Sequence, residues 1–111
     1  MKTDEIYLKH ISDAIEKIEA YVSVGRDRFM RESHWQDAVI RQLEIIGEAT
    51  KQISDDTRDK NPNVPWRRIA GLRDVLIHDY MGVDLNAVWE IAQQNLPGLK
   101  LSVNSILDDM A

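Results

Sequence analysis

The chain contains no cysteine, which excludes disulfide bonds and metal sites built from thiolates. A chain without cysteine is compatible with a reducing compartment, so we expect a cytoplasmic protein. No apolar run approaches the roughly 20 residues that a membrane-spanning helix requires, and the charged N-terminus does not resemble a secretion signal. These absences predict a protein with no membrane partner.

Strand-like patterns are also missing, because no segment of useful length alternates apolar and polar residues. There are no internal repeats or long linkers, and 111 residues suit one domain, residues 1–111. Apolar residues recur every three or four positions through almost every segment. We therefore predict an all-α fold, an up-and-down four-helix bundle with an additional short C-terminal helix.

The first two helices have the clearest patterns. The first is predicted over residues 3–24, and Gly25 ends it. Its expected buried stripe is Ile6, Ile11, Ile15, Ile18 and Val22. The second begins at Ser33, where Gln36 stands three residues later and completes a capping box.

Prolines and an aspartate mark the remaining helices. Pro65 suits the first residue of a third helix that runs to about Asp79, because a missing N–H does no harm there. Asp84 is a candidate cap for a fourth long helix. The Pro97-Gly98 pair is expected to break or kink that helix before the C-terminal segment.

Acidic residues outnumber basic ones, so the formal net charge is −5, and this argues against long-range attraction to nucleic acid. The distribution weakens that argument. Five basic residues lie between positions 58 and 73 against Asp59 alone: Arg58, Lys60, Arg67, Arg68 and Arg73. Arg67 and Arg68 are therefore candidates for binding a nucleic-acid strand, although a solvated helix face explains them equally well.

The most informative segment places Arg73, Asp74, His78 and Tyr80 close together. Arginine suits a phosphate, histidine moves protons near neutral pH, and a tyrosine hydroxyl can accept a transferred group. This combination indicates chemistry on a phosphodiester. No metal is predicted, because the three histidines are scattered and no cluster has ligand spacing, and no cofactor is expected.

Helical geometry adds a constraint on this segment. Five residues turn a regular helix by about 140°, so Arg73 and His78 do not share a face. Asp74, four residues before His78, is its neighbour and can orient the imidazole. Two copies packed around a two-fold axis would bring two arginines and two histidines into one cleft, so we predict a homodimer.

The wider pattern resembles a known family. The spacing Arg-x4-His-x-Tyr, with a polar residue directly after the arginine, is similar to the signature of HEPN ribonucleases. The flanking blocks point to the HepT toxin branch of that superfamily: IGEATKQI at 46–53, VPWRRIAG at 64–71 and MGVD at 81–84. These blocks occur in the expected order, and the resemblance extends over nearly the whole chain. It implies a HEPN-type bundle whose active site lies at a dimer interface.

The resemblance also implies a reaction. A metal-independent endoribonuclease toxin would cleave RNA through attack of the ribose 2′-hydroxyl on the adjacent phosphorus, leaving a 2′,3′-cyclic phosphate and a 5′-hydroxyl. His78 would be the general base or acid, Arg73 would hold the phosphate, and Asp74 would support the histidine. The RNA substrate is expected to be mRNA or tRNA.

A protein partner is implied as well. In the HepT branch, a minimal nucleotidyltransferase antitoxin transfers AMP to the tyrosine of the motif, which corresponds to Tyr80 here. The alternative for Tyr80 is direct contact with RNA. The alternative for the whole protein is a non-catalytic dimeric helical subunit that binds a nucleotidyltransferase, which the acidic charge favours. A dimeric scaffold without nucleotide chemistry is the third possibility.

Overall fold

A computed structural model of the chain describes residues 2–72 and 84–111, and every regular element within them is helical. The elements are α1 (Lys2–Val22), α2 (Arg26–Arg31), α3 (Ser33–Lys51), α4 (Asp55–Lys60), α5 (Trp66–Ala70), α6 (Leu85–Glu90), a π-helical segment (Ile91–Asn95) and α7 (Leu96–Met110). The prediction of an all-α helical bundle is confirmed. No described helix combines the length and the apolar character needed to span a bilayer.

The core is built around α1, which packs against α3 on one side and α7 on the other. Leu8, Ile11, Ile15 and Ile18 follow steps of three and four residues and are almost completely buried. The prediction that Ile6 belongs to this stripe is wrong, since its side chain is 55% exposed. Ile6 precedes Ile11 by five residues, which places it about 140° away around the helix. Leu8 occupies the core position instead.

A buried carboxylate ties the start of α1 to the turn between α3 and α4. Asp4 is 1% exposed. It accepts hydrogen bonds from the Ser54 backbone N–H at 2.9 Å, the Ser54 hydroxyl at 2.6 Å and the Thr57 hydroxyl at 2.6 Å. Burial by itself raises the pKa of the Asp4 carboxyl, but these hydrogen bonds outweigh it, so the pKa lies below its ordinary value.

Helix α3 begins at Ser33, as predicted, but the capping of its first turn differs from the prediction. Ser33 is the first helical residue and Glu32 is the N-cap, with no side-chain capping bond, so the predicted capping box is wrong. The Gln36 amide instead donates to the carbonyls of Phe29 and Met30, at 2.9 and 3.2 Å. The reason is α2, which ends so close to α3 that its free C-terminal carbonyls become the better acceptors.

Helix α2 itself was not predicted. It buries Phe29, whose ring centroid lies 5.3 Å from that of Trp89. It also carries Arg28, whose Nε lies 2.9 Å from Oε2 of Glu32, four residues later. The pKa of the Glu32 carboxyl is lowered to about 2, mainly by the hydrogen bond from Arg28. Burial raises this pKa, and a second hydrogen bond, from the Trp35 indole N–H, lowers it further. The acidic side chain at the N-cap is therefore committed to ion pairing rather than to capping.

The C-terminal third confirms one prediction and corrects another. Asp84 caps α6 by accepting a hydrogen bond from the Ala87 N–H at 3.2 Å, as predicted. Pro97 was predicted to break or kink the helix; helical structure continues from Leu85 to Met110, but the regular α-helix is interrupted by a π-helical segment just before the proline. A π-helical turn precedes the proline, and it relieves the clash that a proline ring makes with the carbonyl four residues earlier. The C-terminal helix is consequently a 15-residue member of the bundle rather than a short addition.

Candidate functional site

The predicted catalytic and modified residues, Arg73, Asp74, His78 and Tyr80, lie outside the described residues. The structure describes the chain on both sides of them. On the N-terminal side, α5 leads through Gly71 to the buried Leu72. On the C-terminal side, the chain is described again from the helix cap at Asp84.

Helix α5 is held in place by its apolar side. Trp66 and Ile69 are buried in the core, and α5 packs against α3. The Trp66 indole N–H donates to the Asn61 carbonyl at 3.0 Å, so the ring is used for packing. The predicted helix start at Pro65 is close to the observed one: Pro65 is the N-cap and Trp66 is the first helical residue. The rigid attachment of α5 presents its opposite face to solvent.

That opposite face carries Arg67 and Arg68, both exposed. Within residues 2–72 and 84–111, no ion pair or hydrogen bond engages either guanidinium. Two unpaired arginines on one short helix form a small cationic surface just before Arg73 in the chain. Their exposure is compatible with the predicted role in binding RNA.

The other described basic residues of the predicted patch make contacts within the protein. The Arg58 guanidinium donates to the carbonyls of Thr50 at 2.7 Å and Ile53 at 3.2 Å, so it caps the C-terminus of α3. Lys60 pairs with Asp56 at 3.1 Å, one turn earlier on the exposed side of α4. Among the described residues, the patch is therefore reduced to the two arginines of α5.

A cleft of about 650 Å³ opens between α5, the π-helical segment and the first turns of α7. Its apolar lining comes from buried side chains of the core, and its polar lining comes from exposed ones. The apolar residues include Val64, Ile69, Leu72, Leu96 and Leu99, and the polar residues include Asn63, Arg68, Gln94 and Asn95. Leu72, the last described residue before Arg73, is one of the lining residues.

Gln94 and Asn95 were missed by the sequence prediction. They lie in the π-helical segment, and no hydrogen bond joins either side-chain amide to another described residue. The signal in the sequence is Pro97, because a proline inside a helical pattern requires an irregular turn before it. Such π-turns often occur at functional sites.

A second cleft of about 590 Å³ lies between α1 and α3, where Tyr7, His10 and Arg41 are among its lining residues. The His10 ring meets the edge of the Tyr7 ring at 5.9 Å. Across residues 2–72 and 84–111, no group of three histidine or acidic side chains is arranged to hold a metal ion. Its described lining residues do not include any residue of α5.

The fold and these flanks define a class: an all-α fold that carries a small cationic surface and an amide-lined cleft, with an Arg-x4-His-x-Tyr segment between the described parts of the sequence. The model of one protein family, described as ribonuclease HepT-like, matches residues 11–106. The chain belongs to this HepT-like ribonuclease family.

Relatives of similar sequence carry related names. A protein of Methanocaldococcus jannaschii named "Gamma-glutamylcyclotransferase and putative RNase" is 42% identical over 98% of this chain, which covers 50% of that protein. A "Probable ribonuclease HepT" of Thermococcus cleftensis is 44% identical over 85% of this chain and 86% of its own. A "Putative RNase" of Caldanaerobacter subterraneus is 41% identical over 96% of each chain. No solved structure gives a significant match.

Proposed function

We propose that this protein is a metal-independent endoribonuclease toxin of a toxin–antitoxin pair. The observation that carries the proposal is the family match over residues 11–106, a range that includes the Arg-x4-His-x-Tyr segment. The unpaired Arg67 and Arg68 directly before that segment support it, because a cationic surface attracts the RNA backbone.

The chemistry follows from the residue types. The 2′-oxygen of the ribose forms a bond to the adjacent phosphorus while the bond from phosphorus to the 5′-oxygen breaks. His78 takes the proton of the 2′-hydroxyl or delivers a proton to the departing 5′-oxygen. Arg73 binds the non-bridging oxygens and stabilises the charge that develops there. Asp74 orients the imidazole. No metal is required for activation, because the nucleophile belongs to the substrate.

The proposal includes a homodimer. A regular helix separates Arg73 and His78 by about 140°, and a second copy around a two-fold axis supplies the missing groups. One imidazole then acts as the base and its symmetry mate as the acid. A protein that remains monomeric at micromolar concentration by light scattering would contradict this arrangement.

Cleavage of RNA by the purified protein in EDTA tests the proposed activity. We expect end-labelled tRNA and mRNA fragments to be cut, and we expect the products to carry 2′,3′-cyclic phosphate and 5′-hydroxyl ends. Intact mass determination of the same preparation shows whether Tyr80 is unmodified. If the unmodified dimer leaves RNA intact, the result would favour the alternative, a non-catalytic helical subunit that binds a nucleotidyltransferase. The net charge of −5 favours that alternative over a nuclease.

Regulation is proposed to act through Tyr80. A minimal nucleotidyltransferase antitoxin would transfer AMP from ATP to the tyrosine oxygen, which loses its proton as pyrophosphate leaves. The product carries a bulky negative group beside the phosphate-binding arginine and repels RNA. We expect Tyr80→Phe to escape the modification while keeping the fold and the dimer, so co-expression with the partner would no longer silence it. Incubation with radiolabelled ATP and the partner measures the transfer. Equal labelling of the wild type and Tyr80→Phe would place the modification elsewhere.

A further inference from the structure

We infer that the cleft between α5 and the π-helical segment is a binding subsite for one nucleobase of the RNA, read by Gln94 and Asn95. This inference rests on the proposed nuclease function and gives it a source of base preference. The residues that carry the inference differ from the proposed phosphate-binding and proton-transferring ones, because all of them lie in the described ranges 2–72 and 84–111.

The lining of the cleft suits a nucleobase. A base has two flat apolar faces and a polar edge, so it requires an apolar slot with hydrogen-bonding groups at the margin. Buried Leu72, Leu96 and Leu99 supply the apolar surface, and the exposed amides of Gln94 and Asn95 supply the margin. An amide side chain offers a donor and an acceptor side by side, which matches the paired donor and acceptor on base edges.

The position of the cleft suits the same ligand. Leu72 lines it and is one peptide bond before Arg73, the residue proposed to hold the scissile phosphate. Arg68 also lines it, and its guanidinium can stack on a base or bind the next phosphate. The volume of about 650 Å³ lies in the range of small-ligand sites and accommodates a nucleotide. A strand bound at Arg73 would therefore pass next to the cleft.

The π-helical turn explains why these amides are available. In a regular α-helix the segment 91–95 would advance by 100° per residue, and the wider turn changes which side chains face the cleft. The Leu96 N–H donates to the Ile91 carbonyl, the bond that defines the wide turn, and Pro97 needs no acceptor. The proline therefore stabilises the π-helical turn. The side chains of Gln94 and Asn95 remain available to bind a ligand.

Base preference at the cleavage site tests the inference. The wild type, Gln94→Ala and Asn95→Ala are given an RNA pool randomised around one cleavage position, and the cut ends are sequenced. At one position next to the cut, we expect the base preference of each alanine variant to be about five- to tenfold weaker than that of the wild type. This is the effect of one lost hydrogen bond. Gln93→Ala is the matched control, because Gln93 is exposed on the same π-helical segment but does not line the cleft.

A charged variant separates a base from a phosphate as the occupant. Gln94→Glu keeps an acceptor and loses the amide donors, so it should change which base is preferred. If the cleft binds phosphate instead, Gln94→Glu would slow cleavage equally at all four bases. If Gln94→Ala, Asn95→Ala and Gln94→Glu all cut RNA with the wild-type base preference, the inference would be overturned while the nuclease function stands.

A binding measurement keeps the inference testable if the wild type does not cleave. The side-chain amide signals of Gln94 and Asn95 are followed by NMR as each of the four nucleoside 3′-monophosphates is added, with inorganic phosphate as the control. Shifts that depend on the base would support the subsite even though the proposed nuclease function had failed. Shifts that phosphate alone reproduces, or no shifts for any nucleotide, would overturn it.

Discussion

Replacement of His78 by alanine is expected to lower the rate of RNA cleavage by about 10²- to 10⁴-fold, the contribution typical of general acid–base catalysis. The 2′-hydroxyl is a poor nucleophile until its proton is removed, and the 5′-oxygen is a poor leaving group until it is protonated. In a dimer the substitution removes both imidazoles at once. Single-turnover cleavage in EDTA measures the loss, and light scattering with circular dichroism shows that the dimer and the helices remain.

His34 provides the matched control for this prediction. Its side chain is 67% exposed, and it lies on α3 beside Glu32, far before the motif in the sequence. His34→Ala should therefore cleave at the wild-type rate. If His78→Ala cleaves as fast as His34→Ala, the proposed role of His78 is wrong, and the activity must come from another group or from a contaminating nuclease.

The long helices were predictable because their cores follow simple spacing. Ile11, Ile15 and Ile18 are separated by four and three residues, and all three are buried as the pattern predicts. Two of the short helices, α2 and α4, were not predicted, because one and a half turns contain too few apolar residues to establish a period. Helix α2 changes the capping of α3 rather than its first residue, since the carbonyls of α2 accept hydrogen bonds from Gln36. Contacts between neighbouring elements, rather than local preference, determine how that helix end is capped.

The candidate site divides in the same way. Its family was recognisable from the motif letters, and the match over residues 11–106 confirms the predicted membership of the HepT-like ribonucleases. The use of individual cations was not predictable from charge alone. Arg58 and Arg68 look alike in the sequence, yet Arg58 caps α3 while Arg68 lines a cleft. Only the packing of α4 and α5 distinguishes a structural arginine from one that is available to a ligand.

Removal of the buried carboxylate is expected to have the largest effect on stability. Asp4→Ala leaves the Ser54 N–H and two hydroxyl groups without their charged acceptor in a buried position. An unsatisfied buried polar group costs about 1–3 kcal/mol, so we expect the free energy of unfolding to fall by about 3 kcal/mol. That is a large share of the total stability of about 5–15 kcal/mol for such a domain. Urea denaturation at pH 7 measures the change, and Asp13→Ala on the exposed side of α1 should stay within about 0.5 kcal/mol of the wild type.

The pH dependence distinguishes the charge from the packing of Asp4. Its pKa is lower in the folded state than in the unfolded chain, where it is about 3.9, so the carboxylate stabilises the fold above that pH. The stabilisation is lost as the pH falls from about 4 through the folded-state pKa. Asp4→Asn has nearly the shape of the protonated acid, so its deficit relative to the wild type should be full at pH 7 and should shrink below pH 4. A deficit that is the same at pH 7 and pH 3 would assign the effect to lost packing and would show that the anchoring of α1 does not depend on the negative charge.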